Sequence, residues 1–314
     1  MNLRMPKYLS PTSLGLFYHD RDQFFYQYLC DPRPPRPPQT DAMSVGSAFD
    51  AYVKSYLYKT LVGKGNPAFE FETIFEAQVE PHNRDEARRA GLETFEAYKL
   101  HGALADLMLD LQGCIGEPKF ETTIEGIVEH QIGAVPFLGK PDIFFVTKNG
   151  ARVIFDWKVN GYYSNSPPSP KAGYVNILPG RDMHKSCVLT EINKFRVNVN
   201  SPMEHVDASW ANQTSIYAWL LGEAVGEKFI VAIDQIVVNR KKTPRDFRIA
   251  QHRTYVTEAH QQGLFDSAVK AWMQIQQGHI FDNMSLEDSK NRCELLARSL
   301  QVVQKDTAFM DLMS

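Results

Sequence analysis

The stretch from Phe137 to Val159, FLGKPDIFFVTKNGARVIFDWKV, holds two strand-like segments joined at Lys148, Asn149 and Gly150. An Asn–Gly pair readily adopts the positive φ that a tight hairpin turn demands, so residues 137–147 and 151–159 are expected to pair antiparallel. The preceding run, FETTIEGIVEHQI (120–132), also alternates, with Phe120, Ile124, Val128 and Ile132 on one side and a turn at Gly133–Pro136. The expectation is a three-strand antiparallel meander. Successive strand residues point to opposite faces, which sends Val153, Phe155 and Trp157 one way and Ile154, Asp156 and Lys158 the other. Pairing through the turn brings Asp142 back alongside residues 156–159. Two carboxylates and an ammonium then converge at one end of a hairpin, in text where unpaired charge is costly to bury.

Helical patterns flank the meander. SPTSLGLFYHDRDQFFYQYL (10–29) reads as a helix with Ser10 as N-cap and Pro11 at its first position, and with Leu14, Phe17, Phe24 and Tyr28 inward. The Pro-rich CDPRPPRPPQ (30–39) is an extended connector. A second helix is expected at about 42–60, where Val45, Phe49, Tyr52, Val53, Tyr56 and Leu57 recur at helical spacing and Asp50 lies on or beside that stripe. Residues 84–112 read as one further helix or two. After the meander come a loop-rich insertion at about 160–206 with a short strand candidate at 186–199, an amphipathic helix at 207–224, a buried strand at 228–239, and helix from about 256 onward. The class is α+β, with a core order of helix, three strands, helix, strand. That order alone is compatible with many functions.

Composition narrows the setting. With 314 residues the chain can bury a sizeable core, and a net charge of −3 argues against coating nucleic acid through bulk electrostatics. No apolar run approaches the ~20 residues of a membrane span, and MNLRMPKYLSPTS has no apolar segment of the secretory kind. Cys30, Cys114, Cys187 and Cys293 form no CxxC pair, so neither a disulfide framework nor a zinc site is expected, and a reducing, cytosolic setting is.

Clustered carboxylates suit a hard divalent cation such as Mg²⁺ or Mn²⁺, and a neighbouring lysine can orient water or offset charge on a phosphate. Acid-x-Lys is also an ordinary pair on a solvated strand face, and on Asp142, Asp156 and Lys158 alone both readings stand. Two further features favour the first. Gln213 and Tyr217 share a face of the following helix, and Asp50 offers another oxygen ligand from an earlier one.

Together these residues resemble the PD-(D/E)XK nuclease superfamily, in its RecB-type exonuclease-like branch. The likeness covers roughly residues 8–240 and lies in order as well as type. Ser10 and Ser13 look like the opening Ser-x-Ser helix, and GSAFD (46–50) sits where the family has Gly-x-x-x-His. GKPD (139–142) matches Gly-x-x-Asp, DWK (156–158) matches (D/E)-x-K, and QTSIY (213–217) matches Gln-x-x-x-Tyr. The chain departs from the pattern at Asp50, which stands in place of the usual histidine, and at HDRD (19–22), where the branch often has Cys-Pro.

The resemblance implies a restriction-endonuclease-like core over residues 1–255, with an N-terminal helical section and the insertion, and a helical C-terminal extension over 256–314. It implies Mg²⁺- or Mn²⁺-dependent hydrolysis of DNA phosphodiester bonds, with exonuclease action favoured. Asp142, Asp156 and the backbone carbonyl of Trp157 would hold the metal, with Asp50 as a further ligand. Lys158 would position the attacking water, and Gln213 and Tyr217 would organise the site. Some relatives hold an iron–sulfur cluster through one early cysteine and three late ones; with only Cys293 late in this chain, none is expected. Expected partners are DNA and recombination or replication proteins, in a bacterial or virus-infected host cytoplasm, with no membrane. The basic run NRKKTPRDFR (239–248) is either a solvated loop or a DNA-backbone contact through Arg240, Lys241, Lys242 and Arg245. GYYSNSPPSPKAGY (161–174) is either an aromatic flap for base stacking or an ornament of the insertion. The alternatives in function are a structure-specific or restriction-like endonuclease, and an inactive DNA-binding scaffold of the same fold.

Overall fold

The computed structural model describes residues 4–31, 33–63, 65–161, 175–177, 196–197, 202–239 and 245–313. Most of the insertion therefore lies outside the described residues, as do all of the aromatic flap candidate but Gly161, most of the strand candidate at 186–199, Cys187, and Arg240, Lys241 and Lys242.

Ser10 caps α1 (Pro11–His19) in a reciprocal capping box with Ser13. The expected single helix over 10–29 is broken after His19. Asp20 leaves helical geometry (φ −150°, ψ 96°) and caps a second short helix, α2 (Arg21–Phe24), by accepting from the Gln23 N–H. A π-helical turn (Phe25–Leu29) completes the segment. An aspartate that can serve the backbone as a cap competes with helix continuation, and here the cap wins. Residues 33–40 form neither helix nor strand. Thr40 then caps α3 (Asp41–Leu61), which buries Val45, Ala48, Phe49, Val53 and Leu57 along one stripe. α4 (Phe71–Gln78) was not anticipated; α5 (Arg84–His101) and α6 (Ala103–Gln112) divide at Gly102, whose φ of 94° ends the first. α3 and α5 cross closely at Gly91, where an added Cβ would stand 2.5 Å from that of Ala48.

The meander is more divided than its text suggests. The strand expected over 120–132 forms only as β2 (Ile124–His130), and an unanticipated strand, β1 (Ile115–Phe120), precedes it. The second expected strand splits into β3 (Gly133–Gly139) and β4 (Ile143–Val146). Gly133–Pro136, expected as a turn, belong to β3, while the turn falls at 131–132. β2 and β3 form a separate hairpin, while β1 and β4 join the main sheet. Pro141, which lacks an N–H for the ladder, lies in one break, and Glu121, at φ 51°, lies in the other. The Asn149–Gly150 turn forms as expected, with Gly150 at φ 81°. It joins β4 to β5 (Arg152–Gly161) with Ile143 opposite Phe155 and Val146 opposite Arg152.

β6 (Val175–Ile177) and β7 (Arg196–Val197) follow, then a short helix α7 (Met203–Val206) and α8 (Ala208–Leu220), capped by Asp207. β8 (Ile230–Asn239) runs parallel to β5, and α8 is the crossover helix between them. β9 (Asp246–Thr254) is antiparallel to β8 and corrects the expectation of a loop reaching residue 248. The sheet order is β1-β4-β5-β8-β9-β6, with β7 against β9. α9 (Glu258–Gln277) and α10 (Leu286–Met313) end the chain.

The sheet is covered on both faces. Phe155, Trp157 and Ile236 pack with Phe49, Tyr98 and Leu107 of the α3, α5 and α6 layer; Ile154 and Ile233 pack with Trp210 and Ala218 of α8. A further core joins Leu14, Phe17, Phe24, Phe137 and Trp219 to Phe265 and Ile275 of α9 and Cys293 of α10. The last two helices thus share a core with the first. Each fully buried phenylalanine, Phe155 among them, contributes ~1.5–3 kcal/mol relative to exposure.

Candidate active site

The register that pairs Ile143 with Phe155 sets Asp142 opposite Asp156, as the alternation implied. Asp142 is fixed by two bonds of different kinds. Its Oδ2 accepts from the Trp157 backbone N–H at 3.0 Å, and its Oδ1 accepts from Lys54 Nζ at 2.9 Å. Asp156 is buried, and Lys158 Nζ pairs with its Oδ2. Burial and the neighbouring Asp142 carboxylate push Asp156 up to about 8. Burial also opposes ionisation of Asp142, but the Lys54 ammonium and its hydrogen bonds outweigh it and hold that carboxyl below the usual range. Two acids in contact divide one proton unequally, the better-paired one keeping its charge.

Gln213 and Tyr217 reach the same cluster from α8. Lys158 Nζ donates to Gln213 Oε1 at 2.7 Å, and Gln213 Nε2 donates to the Tyr217 hydroxyl at 2.8 Å. The chain of bonds sets the orientation of the amide and holds the lysine between Asp156 and Gln213. Burial, and then Asp156, push the Tyr217 phenol up, so it remains protonated. Gly139 explains how the ring fits, since an added Cβ there would lie 2.7 Å from Tyr217 Cδ1 and 2.8 Å from a methyl carbon of Leu220.

Asp50 faces the site from α3, but it is already engaged: Lys54, one helical turn on, pairs with it at 2.6 Å, and Gln78 Nε2 donates to its Oδ2 at 3.0 Å. Burial is the chief influence that raises its carboxyl. Lys54 also pairs with Glu121, which in turn pairs with Lys140. These groups line a cleft of about 370 Å³ beside the middle of β5, together with Gly46, Trp157 and Gln213. Asp50, Glu121 and Asp142 each present a carboxylate oxygen within 4.8 Å of the others.

The structure therefore gathers Asp50, Asp142, Asp156, Trp157, Lys158, Gln213 and Tyr217 in one place. Arg245 is not among them. Its guanidinium pairs with Glu86 at 2.5 Å and with Glu93, and only 10% of its side chain is exposed.

Sequence reasoning missed Lys54, Gln78, Glu121 and Lys140. Lys54 had a signal, since it lies four residues after Asp50 beside the buried stripe of α3. Glu121 had none in its text. It is the non-glycine residue with positive φ among the described residues, and its N–H donates to the Asp142 carbonyl at 3.1 Å, which ties the β1 end to the site.

No family model matches this chain, and no curated protein does. Among solved structures, a crystal structure of SSO0001 is similar at 11% identity over 82% of this chain and 84% of that one, with a TM-score of 0.25, a likeness that carries no argument. No helix among the described residues is long and apolar enough to cross a membrane.

Proposed function

We propose that the chain is a nuclease that hydrolyses DNA phosphodiester bonds with Mg²⁺ or Mn²⁺, acting as an exonuclease in recombination, repair or viral DNA replication. One observation carries the reading: Asp142, Asp156 and Lys158 share a cleft with Gln213, which Tyr217 holds from behind by one hydrogen bond, and Lys158 is held by both Asp156 and Gln213. The donor set fits a hard divalent cation, because Asp142 and Asp156 offer only oxygen and lie in contact. Those two carboxylates and the Trp157 carbonyl would hold it. When bound, such an ion polarises the phosphate and makes its water more acidic.

The remaining roles belong to the chain itself. Lys158, fixed by Asp156 and Gln213, orients the attacking water and offsets charge that develops on the phosphate oxygens. Lys140, half of whose side chain is exposed at the cleft, meets the DNA backbone. The apolar packing of Phe155 and Trp157 on the opposite face keeps the Asp142–Asp156 register from slipping.

The test is digestion of linear and covalently closed circular DNA with Mg²⁺ and with a chelator. The expected result is metal-dependent loss of linear DNA with the circle intact. Cutting of the circle would replace the exonuclease with an endonuclease, and absence of divalent-dependent cleavage of any DNA or RNA form would leave a non-catalytic scaffold.

A further inference from the structure

We infer that Lys54 is a resident cation of this cleft: its ammonium takes the place of a second divalent ion and makes the centre a one-ion site. The inference rests on the nuclease reading and adds to it the number of metal ions.

Lys54 is 1% exposed, and its buried head group meets carboxylates. The ammonium contacts Asp50 at 2.6 Å, Asp142 Oδ1 at 2.9 Å, and Glu121. An ammonium has three hydrogens to donate, and three separate carboxylates accept them. A two-ion centre needs carboxylates that can be shared between cations ~3.5–4 Å apart. The groups that would hold the second ion here are Asp50, Glu121 and the outer oxygen of Asp142, and Lys54 engages all of them. Asp50 is further occupied by Gln78 and Glu121 by Lys140. Asp156 stands apart from this arrangement and pairs with Lys158.

Charge leads to the same count. The cleft holds the carboxyl groups of Asp50, Glu121, Asp142 and Asp156 against the ammonium groups of Lys54, Lys140 and Lys158. Fully ionised, that leaves one negative charge. A single divalent ion reverses it to one positive charge, suited to a phosphodiester, whereas two would leave three. Burying so much uncompensated charge is costly.

The test counts Mn²⁺ bound to the full chain by electron paramagnetic resonance of the free ion. The wild type is expected to bind one ion, and Lys54→Met, which removes the ammonium that the three carboxylates share, is expected to bind two. A folded Lys54→Met that still binds one ion would overturn the inference, as would a wild type that binds two; in both cases the nuclease reading survives. A folded wild type that binds none at millimolar Mn²⁺ overturns the nuclease reading and the inference with it. Should Lys54→Met fail to fold even with Mn²⁺, Lys54→Arg keeps the cation and the wild-type count decides: one ion in both supports the inference, two in either overturns it.

Discussion

β5 and β8 carry buried acids on both faces of the sheet, and the two faces treat them in opposite ways. Toward α5, Asp234 accepts from the Tyr98 hydroxyl at 2.5 Å and from Arg253 Nη1 at 2.7 Å, and Trp157 Nε1 donates to the same hydroxyl at 3.3 Å. One carboxylate meets one guanidinium, a phenol bridges to the indole, and apolar packing surrounds them. At the cleft, Asp156 abuts Asp142 and is pushed up to about 8 by burial and by that neighbour. The first arrangement satisfies its charge with one guanidinium; the second sets two acids against each other and relieves them through a shared proton and two lysines. On the proposed function, an acid pushed up beside a second acid is what a bound cation would relieve, whereas the Asp234 face is already paired off.

Removing an acid from each side should break the comparison in different ways. Asp156→Ala is expected to lower divalent-dependent DNA cleavage by about 10⁴-fold, while thermal unfolding changes little, because Asp142 keeps Lys54 and the Trp157 N–H and Lys158 keeps Gln213. Unchanged cleavage would take Asp156 out of the chemistry. Asp234→Ala should act on stability instead, costing about 3–5 kcal/mol in urea unfolding because Arg253 is left as an unpaired buried charge. A cost below ~1 kcal/mol would mean that Arg253 finds water or another acceptor, and that the paired face is not a structural device.

The legibility of the two faces also differs. Asp142, Asp156 and Lys158 could be placed together because pleat alternation and the Asn149–Gly150 turn are local rules, and the register obeyed them. The Asp234 face could not. β9 reads DFRIAQHRT, and its Gln251 and Arg253 look like solvated text until Asp234 of β8 is set beside them. The same reason hid Lys54, a lysine on an apolar stripe that only the fold surrounds with acids. Elsewhere the errors were breaks. Asp20 caps rather than continues a helix, and Lys140–Pro141 interrupts a run of strand-forming residues. Where an element was anticipated its existence followed from periodicity and tertiary partners decided where it stops, whereas α4, β1 and β9 had no such pattern and were missed.

Acid provides a smaller perturbation that reaches both layers. Burial pushes His101 of α5 down to about 3, and burial with the adjacent Arg253 charge pushes His252 of β9 down to about 4. An unfolded histidine titrates near ~6.5, so above that pH both states are neutral and neither residue disfavours folding. As pH falls below ~6.5 the unfolded chain takes up protons that the folded chain refuses, and stability is lost until the folded values are reached. At pH 5 the loss is about 2 kcal/mol per histidine. Urea unfolding at pH 7 and pH 5 measures it, and His252→Gln should remove the share of that residue. An identical pH slope in the variant would show that His252 is charged in the folded protein.

The smallest expected effect tests whether the cleft works through Lys158. Tyr217 touches Gln213, and Gln213 touches Lys158, each by one hydrogen bond. Tyr217→Phe removes the acceptor that fixes the Gln213 amide but leaves the ring against Gly139. The loss of one such bond, about 1.4 kcal/mol, corresponds to a tenfold fall in kcat, with KM little changed because no contact to the DNA backbone is removed. In a Lys158→Ala background the same substitution should cost almost nothing, since the residue it orients is gone. Equal losses in the two backgrounds would mean that Tyr217 acts on the substrate directly, and the comparison would then extend to α8, whose side chains would bind DNA as well as hold the lysine in place.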